Sequence, residues 1–175
     1  ELLADGPDGP AHAWLGMVRA YERLMCGDMD AAARYADQAI RAGVAHDQPD
    51  PTAIARIAAA RVRIFRGEVD EGLRLLDEVA VTLASGALGP LPTGMAWCEL
   101  VCAMQGLGQH DRAAEWTAAM DLWRHGTAFG GINGRCRVHR AEILRMRGSC
   151  EQAEAEALHA CEELRPWMRR EYGWP

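Results

Sequence analysis

One local pattern recurs four times along this chain: a small residue or valine, seven residues to a glycine, then five to another small residue. The copies are Ala20…Gly27-Asp28…Ala32, Ala60…Gly67-Glu68…Gly72, Val101…Gly108-Gln109…Ala113 and Ala141…Gly148-Ser149…Ala153, so the glycines lie 40, 41 and 40 residues apart. Ala39, Val79, Met120 and Ala160 each follow their glycine by twelve. Self-similarity at such a period marks a repeat architecture, in which each unit is a supersecondary element too small to bury its apolar face alone.

Each unit reads as a helix, a tight turn and an antiparallel helix. In the first, Trp14, Leu15, Val18, Tyr21, Leu24 and Met25 recur at three- and four-residue spacing, which predicts a helix over 11–26. Gly27 closes it, because glycine takes the left-handed conformation without a Cβ clash, and Asp28 or Asp30 is placed to cap the next helix over 30–42. There Ala32, Ala36 and Ala39 form a stripe of small side chains that lets two helices approach closely. The later units repeat this with helices over 53–66 and 69–83, 93–107 and 111–123, and 135–147 and 150–164. The units span about 11–43, 51–84, 93–124 and 134–164, with 165–175 the start of a further repeat or a tail. Glycine- and proline-rich stretches at 43–51, 85–92 and 125–134 read as loops. No segment alternates apolar and polar residues between turn signals, so the expectation is all-α.

With 175 residues, 49% hydrophobic and 25% charged, the chain can bury a sizeable core and is unlike a disordered segment. No stretch approaches the roughly eighteen apolar residues of a membrane span, and the opening Glu1-Leu2-Leu3 is neither an initiator methionine nor a secretory leader. The expectation is a cytoplasmic fragment of a larger protein, with no membrane contact. A net charge of -6 with nineteen arginine and lysine residues argues against a general nucleic-acid surface, so DNA would be reached only through a domain absent from this chain. Six cysteines in a chain with its own core are expected to be reduced and mostly buried, since a free thiol packs as a small hydrophobe.

The small residue late in the first helix, the glycine at the turn and the small contact positions of the second helix resemble tetratricopeptide repeats. The period of about 40 is longer than the 34 residues of that class. The stretch from Gly134 to Gly148, reading GRCRVHRAEILRMRG, with Ala153-Glu154-Ala155 and Ala160-Cys161-Glu162-Glu163-Leu164 after it, resembles the repeat region of actinobacterial LuxR-type transcriptional regulators. All nineteen basic residues are arginine, which suits a high-GC bacterial genome. The resemblance implies a right-handed superhelical array of about four antiparallel helix pairs, a TPR-like α-solenoid. It also implies a parent protein with an ATP-binding or cyclase-like domain before this segment and a helix-turn-helix domain after it. The segment itself would be a protein-interaction or ligand-sensing scaffold in signal transduction, binding a protein, a peptide or a small-molecule inducer. Two alternatives stay open: a free-standing peptide-binding adaptor, and a helical accessory domain of a larger ATPase- or cyclase-type enzyme.

No catalytic or cofactor motif is apparent, so the chain is read as a non-enzyme. Gly130-Gly131-Ile132-Asn133-Gly134 lacks the lysine and hydroxyl residue of a P-loop and reads as a flexible loop. Cys98 and Cys102 make an i, i+4 thiol pair, but two ligands are not a metal site; a third and fourth could come from neighbouring helices, yet both thiols also fall on an apolar stripe, so the pair is read as structural. His139-Arg140-Ala141-Glu142 lacks the second histidine of a zinc-protease helix and is read as structural, as is the acidic run with Glu154, Glu156, Glu162 and Glu163, taken as a solvated face. No metal and no cofactor are expected. In the array that the resemblance implies, the first helices line a concave groove with Trp14, Met17, Tyr21, Ile57, Arg61, Cys98, Cys102, Gln105, Arg135, Glu142 and Arg145. Arg61, Arg135 and Arg145 would clamp a carboxylate, and Trp14 and Tyr21 would supply apolar contact. Trp167, Met168 and Trp174 in the tail suggest an apolar terminal repeat through which two copies could pair as a homodimer.

Overall fold

A computed structural model describes residues 9–124 and 130–166 of the chain. Eight helices account for most of them: α1 Pro10–Met25, α2 Met29–Ala45, α3 Pro49–Phe65, α4 Val69–Ala84, α5 Pro90–Gly106, α6 His110–Arg124, α7 Gly130–Met146 and α8 Cys150–Leu164. Among the described residues there is no strand, and no helix is long and apolar enough to cross a membrane. The chain divides into two compact units, Glu1–Ala96 and Trp97–Pro175, with the boundary inside α5.

The four turn glycines share one backbone solution. Gly27, Gly67, Gly108 and Gly148 have φ of +79°, +84°, +70° and +79°. Each donates its N–H three residues back, as Gly27 does to the Leu24 carbonyl at 3.1 Å, and the following residue donates five back, as Asp28 does to Arg23 at 3.0 Å. This paired closure satisfies carbonyls that a helix end otherwise leaves open. Asp28 then caps α2, its Oδ1 accepting from the Ala31 N–H at 3.0 Å.

The stretches read as loops are shorter than the sequence suggested. Pro49 and Pro90 are the first residues of α3 and α5, where proline's fixed φ suits the helix and its missing N–H is no loss. Gly43 lies inside α2 because α3 passes so close that a Cβ there would fall 2.0 Å from Thr52 Oγ1. The backbone from Gly130 is helical rather than a flexible loop, and Gly134 sits against α8, where a Cβ would be 2.4 Å from Leu164 Cγ. Residues 125–129 of the third loop, and the tail with Trp167, Met168 and Trp174, lie outside the described residues.

In the first unit α1 packs on α2 and α3, α2 on α3, and α3 on α4. The α3 helix is the centre of this unit, with Ile54, Ile57 and Val62 almost wholly enclosed. In the second unit α6 and α8 both pack on α7. Arg137 of α7 is held by Glu163 at 2.7 Å and Glu156 at 2.9 Å, and Arg140 pairs with Asp121. Glu156 and Glu163 therefore turn inward to an arginine, while Glu154 and Glu162 are exposed as a solvated face would be. The twelve-after-glycine positions, Ala39, Val79, Met120 and Ala160, are all buried, as are the small residues at Ala20, Ala60, Val101 and Ala141.

Candidate functional site

The residues named for a groove meet different fates. In the first unit Trp14 is exposed, Met17 and Arg61 are half-buried, and Tyr21 packs against the cluster of Ala20, Ala36, Ala58 and Ala59. Ile57 has no exposed surface and takes part in packing alone. In the second unit Arg135 is exposed, and Arg145 is engaged with Glu142 through Nε–Oε2 at 3.2 Å and NH2–Oε1 at 2.6 Å. That pairing holds the Glu142 carboxyl below the usual carboxylate range and occupies the fork that was to clamp a ligand.

Cys98, Cys102 and Gln105 are different, because α7 supplies them with partners. Cys136 and His139 stand three apart on α7 and so share a face, opposite the i, i+4 pair Cys98 and Cys102 on α5. Cys98 Sγ lies 4.0 Å from Cys136 Sγ. Both are buried, at 6% and 1% exposure, in a cluster with Met120 that Trp97 and Trp123 flank. Toward the surface, Cys102 Sγ lies 3.5 Å from His139 Nε2. Gln105 holds the imidazole from the other side, its Oε1 3.1 Å from His139 Nδ1 and its Nε2 donating to the His139 carbonyl at 3.4 Å. With Nδ1–H donating to Gln105, Nε2 is left facing the thiol.

The charges follow from this arrangement. The Cys98 thiol is drawn down by the hydrogen bond from Cys136, against burial, and further by the hydrogen bond and charge of His139 and the charge of Arg135. Burial works to lower His139, but hydrogen bonds and charge from Cys102 and Cys98 outweigh it and raise the ring. Both shifts favour the charged forms, the Cys98 thiol and the imidazole drawing each other toward charge. Thiol burial, expected for most of the six cysteines, is the exception: Cys98 and Cys136 are buried, whereas Cys26, Cys102, Cys150 and Cys161 are exposed. Three of the cluster residues were named from sequence for a groove. Cys136 and His139 were not, although their i, i+3 spacing on one helix was a visible signal. Among the described residues, no three or more His, Cys, Asp or Glu side chains stand close enough together to hold a metal ion without moving.

No family model, curated protein or solved structure matches the chain.

A second feature lies in the first unit, where α1 and α2 leave an open cleft of about 560 Å³. Its lining includes His12, Arg19, Tyr35, Gln38, Arg41 and His46, with no carboxylate among the described lining residues. Arg19 stacks over the Tyr35 ring at 5.6 Å, which orients its guanidinium. In a chain of net charge -6, a cleft lined by cationic and neutral groups is a local inversion of sign. It carries none of the residues named from sequence, because an α1–α2 cleft gathers positions from both helices rather than from the first helices alone.

Proposed function

We propose that this chain is a tetratricopeptide-like interaction or ligand-sensing scaffold, part of a larger LuxR-type transcriptional regulator, that recognises an acidic peptide or a small anionic inducer. The observation that carries the binding role is the α1–α2 cleft, with Arg19, Arg41, His12 and His46 around one cavity and no opposing acid in its described lining. Arginine's planar fork suits carboxylate and phosphate, and the Tyr35 ring supplies apolar contact beside it. The repeat character is supported by the recurrence of one glycine closure at four turns, and by the packing of α1 on both α2 and α3, so that successive hairpins share a face in the first unit. Helical hairpins of this kind present surfaces on rigid elements. The regulator context rests on the sequence resemblance, and reading the gene on either side of this segment tests it: a helix-turn-helix domain downstream is expected, and a reading frame that ends near Pro175 favours the free-standing adaptor instead.

The binding role is tested by fluorescence titration of the chain with an acidic peptide library, wild type against Arg19→Glu/Arg41→Glu. Loss of binding in the charge-reversed variant, with unchanged circular dichroism, is expected. Equal binding by both would overturn the assignment to this cleft.

A further inference from the structure

We propose that Cys98, Cys102, Cys136 and His139 form a tetrahedral site for a zinc-class divalent metal ion between α5 and α7. Three thiols and one imidazole are the soft sulfur and nitrogen donors that select such an ion, and two helices supply two donors each.

The donor spacings bear on this directly. With zinc–sulfur bonds of about 2.3 Å and zinc–nitrogen bonds of about 2.0–2.1 Å, a tetrahedron has sulfur–sulfur edges of about 3.8 Å and sulfur–nitrogen edges of about 3.5 Å. The Cys98–Cys136 separation is 4.0 Å and the Cys102–His139 Nε2 separation is 3.5 Å. A disulfide would instead need sulfur atoms about 2.0 Å apart. The donors stand as two close pairs, Cys98 with Cys136 and Cys102 with His139, and the pairs lie side by side because each helix places its two donors on one face. Cys102 is exposed, so its side chain has room to rotate as the pairs close on an ion.

The surroundings of the imidazole point the same way. A metal-bound histidine characteristically donates its other ring N–H to an oxygen acceptor, which sets the tautomer and the ring plane. Gln105 Oε1, at 3.1 Å from Nδ1, is that acceptor, and its amide also grips the His139 carbonyl. The buried side of the site is apolar, lined by Met120 with Trp97 and Trp123 beside it. The ion would join α5 to α7 by bonds that neither helix makes alone.

The test is metal binding to the full reduced chain. Zinc content is read by mass spectrometry after dialysis against a weak chelator. Cobalt(II) serves as the spectroscopic probe, because tetrahedral thiolate–cobalt complexes have intense visible and charge-transfer bands. One equivalent per chain, tetrahedral cobalt bands and protection of three of the six thiols from a thiol reagent are expected. Cys102→Ser and His139→Ala should each weaken binding by at least tenfold, and Gln105→Ala by about 10- to 100-fold without removing a ligand. Cys102 is at the surface, so its variant separates loss of metal from loss of fold. Triple replacement of Cys26, Cys150 and Cys161 by serine should leave binding unchanged. Absence of stoichiometric zinc, octahedral cobalt spectra, or binding that disappears in the triple variant and persists in Cys102→Ser and His139→Ala would overturn the proposal. So would a reduced chain that binds no metal but forms a Cys98–Cys136 disulfide on oxidation.

Discussion

The sharpest conflict between local propensity and packing is at Gly72, the fourth residue of α4. Propensity alone says that Gly72→Ala should stabilise the chain by about 0.5–1 kcal/mol. Packing says the opposite: a Cβ at Gly72 would lie 2.6 Å from Ile64 Cγ1, 3.2 Å from Ile64 Cδ1 and 2.9 Å from the Ala60 carbonyl oxygen. The carbonyl belongs to the α3 backbone and cannot step aside, and Ile64 is branched at Cβ and stiff about χ1. Relief therefore requires α3 and α4 to separate, the kind of overpacking that costs about 1–3 kcal/mol. After subtracting the propensity gain, the net loss is about 0.5–2 kcal/mol, or a fall in Tm of roughly 2–6 °C for a chain of this size. At the matching offsets of the preceding hairpin, Leu24 stands in place of Ile64 and Ala32 in place of Gly72, and Ala32 is fully buried. Leucine branches one carbon further out and leaves space for a methyl. Ile64→Leu should accordingly rescue Gly72→Ala in part, the Ala60 carbonyl contact remaining, with a coupling of about 1 kcal/mol in a double-mutant cycle. Thermal and urea unfolding of the four proteins, followed by circular dichroism, measures this. A more stable Gly72→Ala protein, or the same loss with and without Ile64→Leu, would refute the reasoning.

Gly67→Ala, at φ +84°, should lose about 1–2 kcal/mol by urea unfolding, whereas Gly106→Ala, at the end of α5 with nothing within 4 Å of its Cβ, should be neutral or stabilising by up to about 1 kcal/mol. Asp28→Ala removes the cap on the Ala31 N–H and should cost about 1 kcal/mol, with hydrogen exchange accelerated in the first turn of α2. Arg137→Ala takes the arginine from Glu163 and leaves Glu156 only its longer contact with Arg140 at 3.6 Å, and should cost about 2–4 kcal/mol in the same denaturation assay. Arg145→Ala, from an exposed pair with Glu142, should change stability by less than about 0.5 kcal/mol.

The turns were legible because they are local: a glycine that must take positive φ, with small residues at constant offsets, leaves a trace in sequence at every copy. Helix starts were less legible, because Pro49 and Pro90 carry the same letter whether they break a helix or open one. Gly43 and Gly134 read as loop residues because what requires them, Thr52 and Leu164, lies on another helix. The cluster divided along the same line. Cys98 with Cys102, and Cys136 with His139, are spacings that any helix places on one face. That α5 faces α7 at those residues is a tertiary fact with no sequence signature. Arg145, named for the groove, pairs with Glu142 on its own helix, and the cationic cleft draws on α2 as well as α1, which a count along the first helices alone does not reach.

Counting back from each turn glycine shows what distinguishes the second unit. Ten and six residues before Gly108 are Cys98 and Cys102; the same offsets hold Met17 and Tyr21 before Gly27, and Ile57 and Arg61 before Gly67. Nine before Gly148 is His139, where the first two repeats have Val18 and Ala58. Between α1, α2 and α3, packing is by small apolar residues, Ala20, Ala36, Ala58 and Ala59. A thiol can stand in such a position with little steric change, since it packs like a small hydrophobe. An imidazole cannot, because an unsatisfied polar group between helices costs about 1–3 kcal/mol. His139 is tolerated because Gln105 satisfies one nitrogen and Cys102 faces the other, so three polar side chains from two helices depend on one another. Packing alone would favour an aliphatic residue at each of those positions. The proposed ion would give these four soft donors a role that apolar packing between α5 and α7 does not require of them.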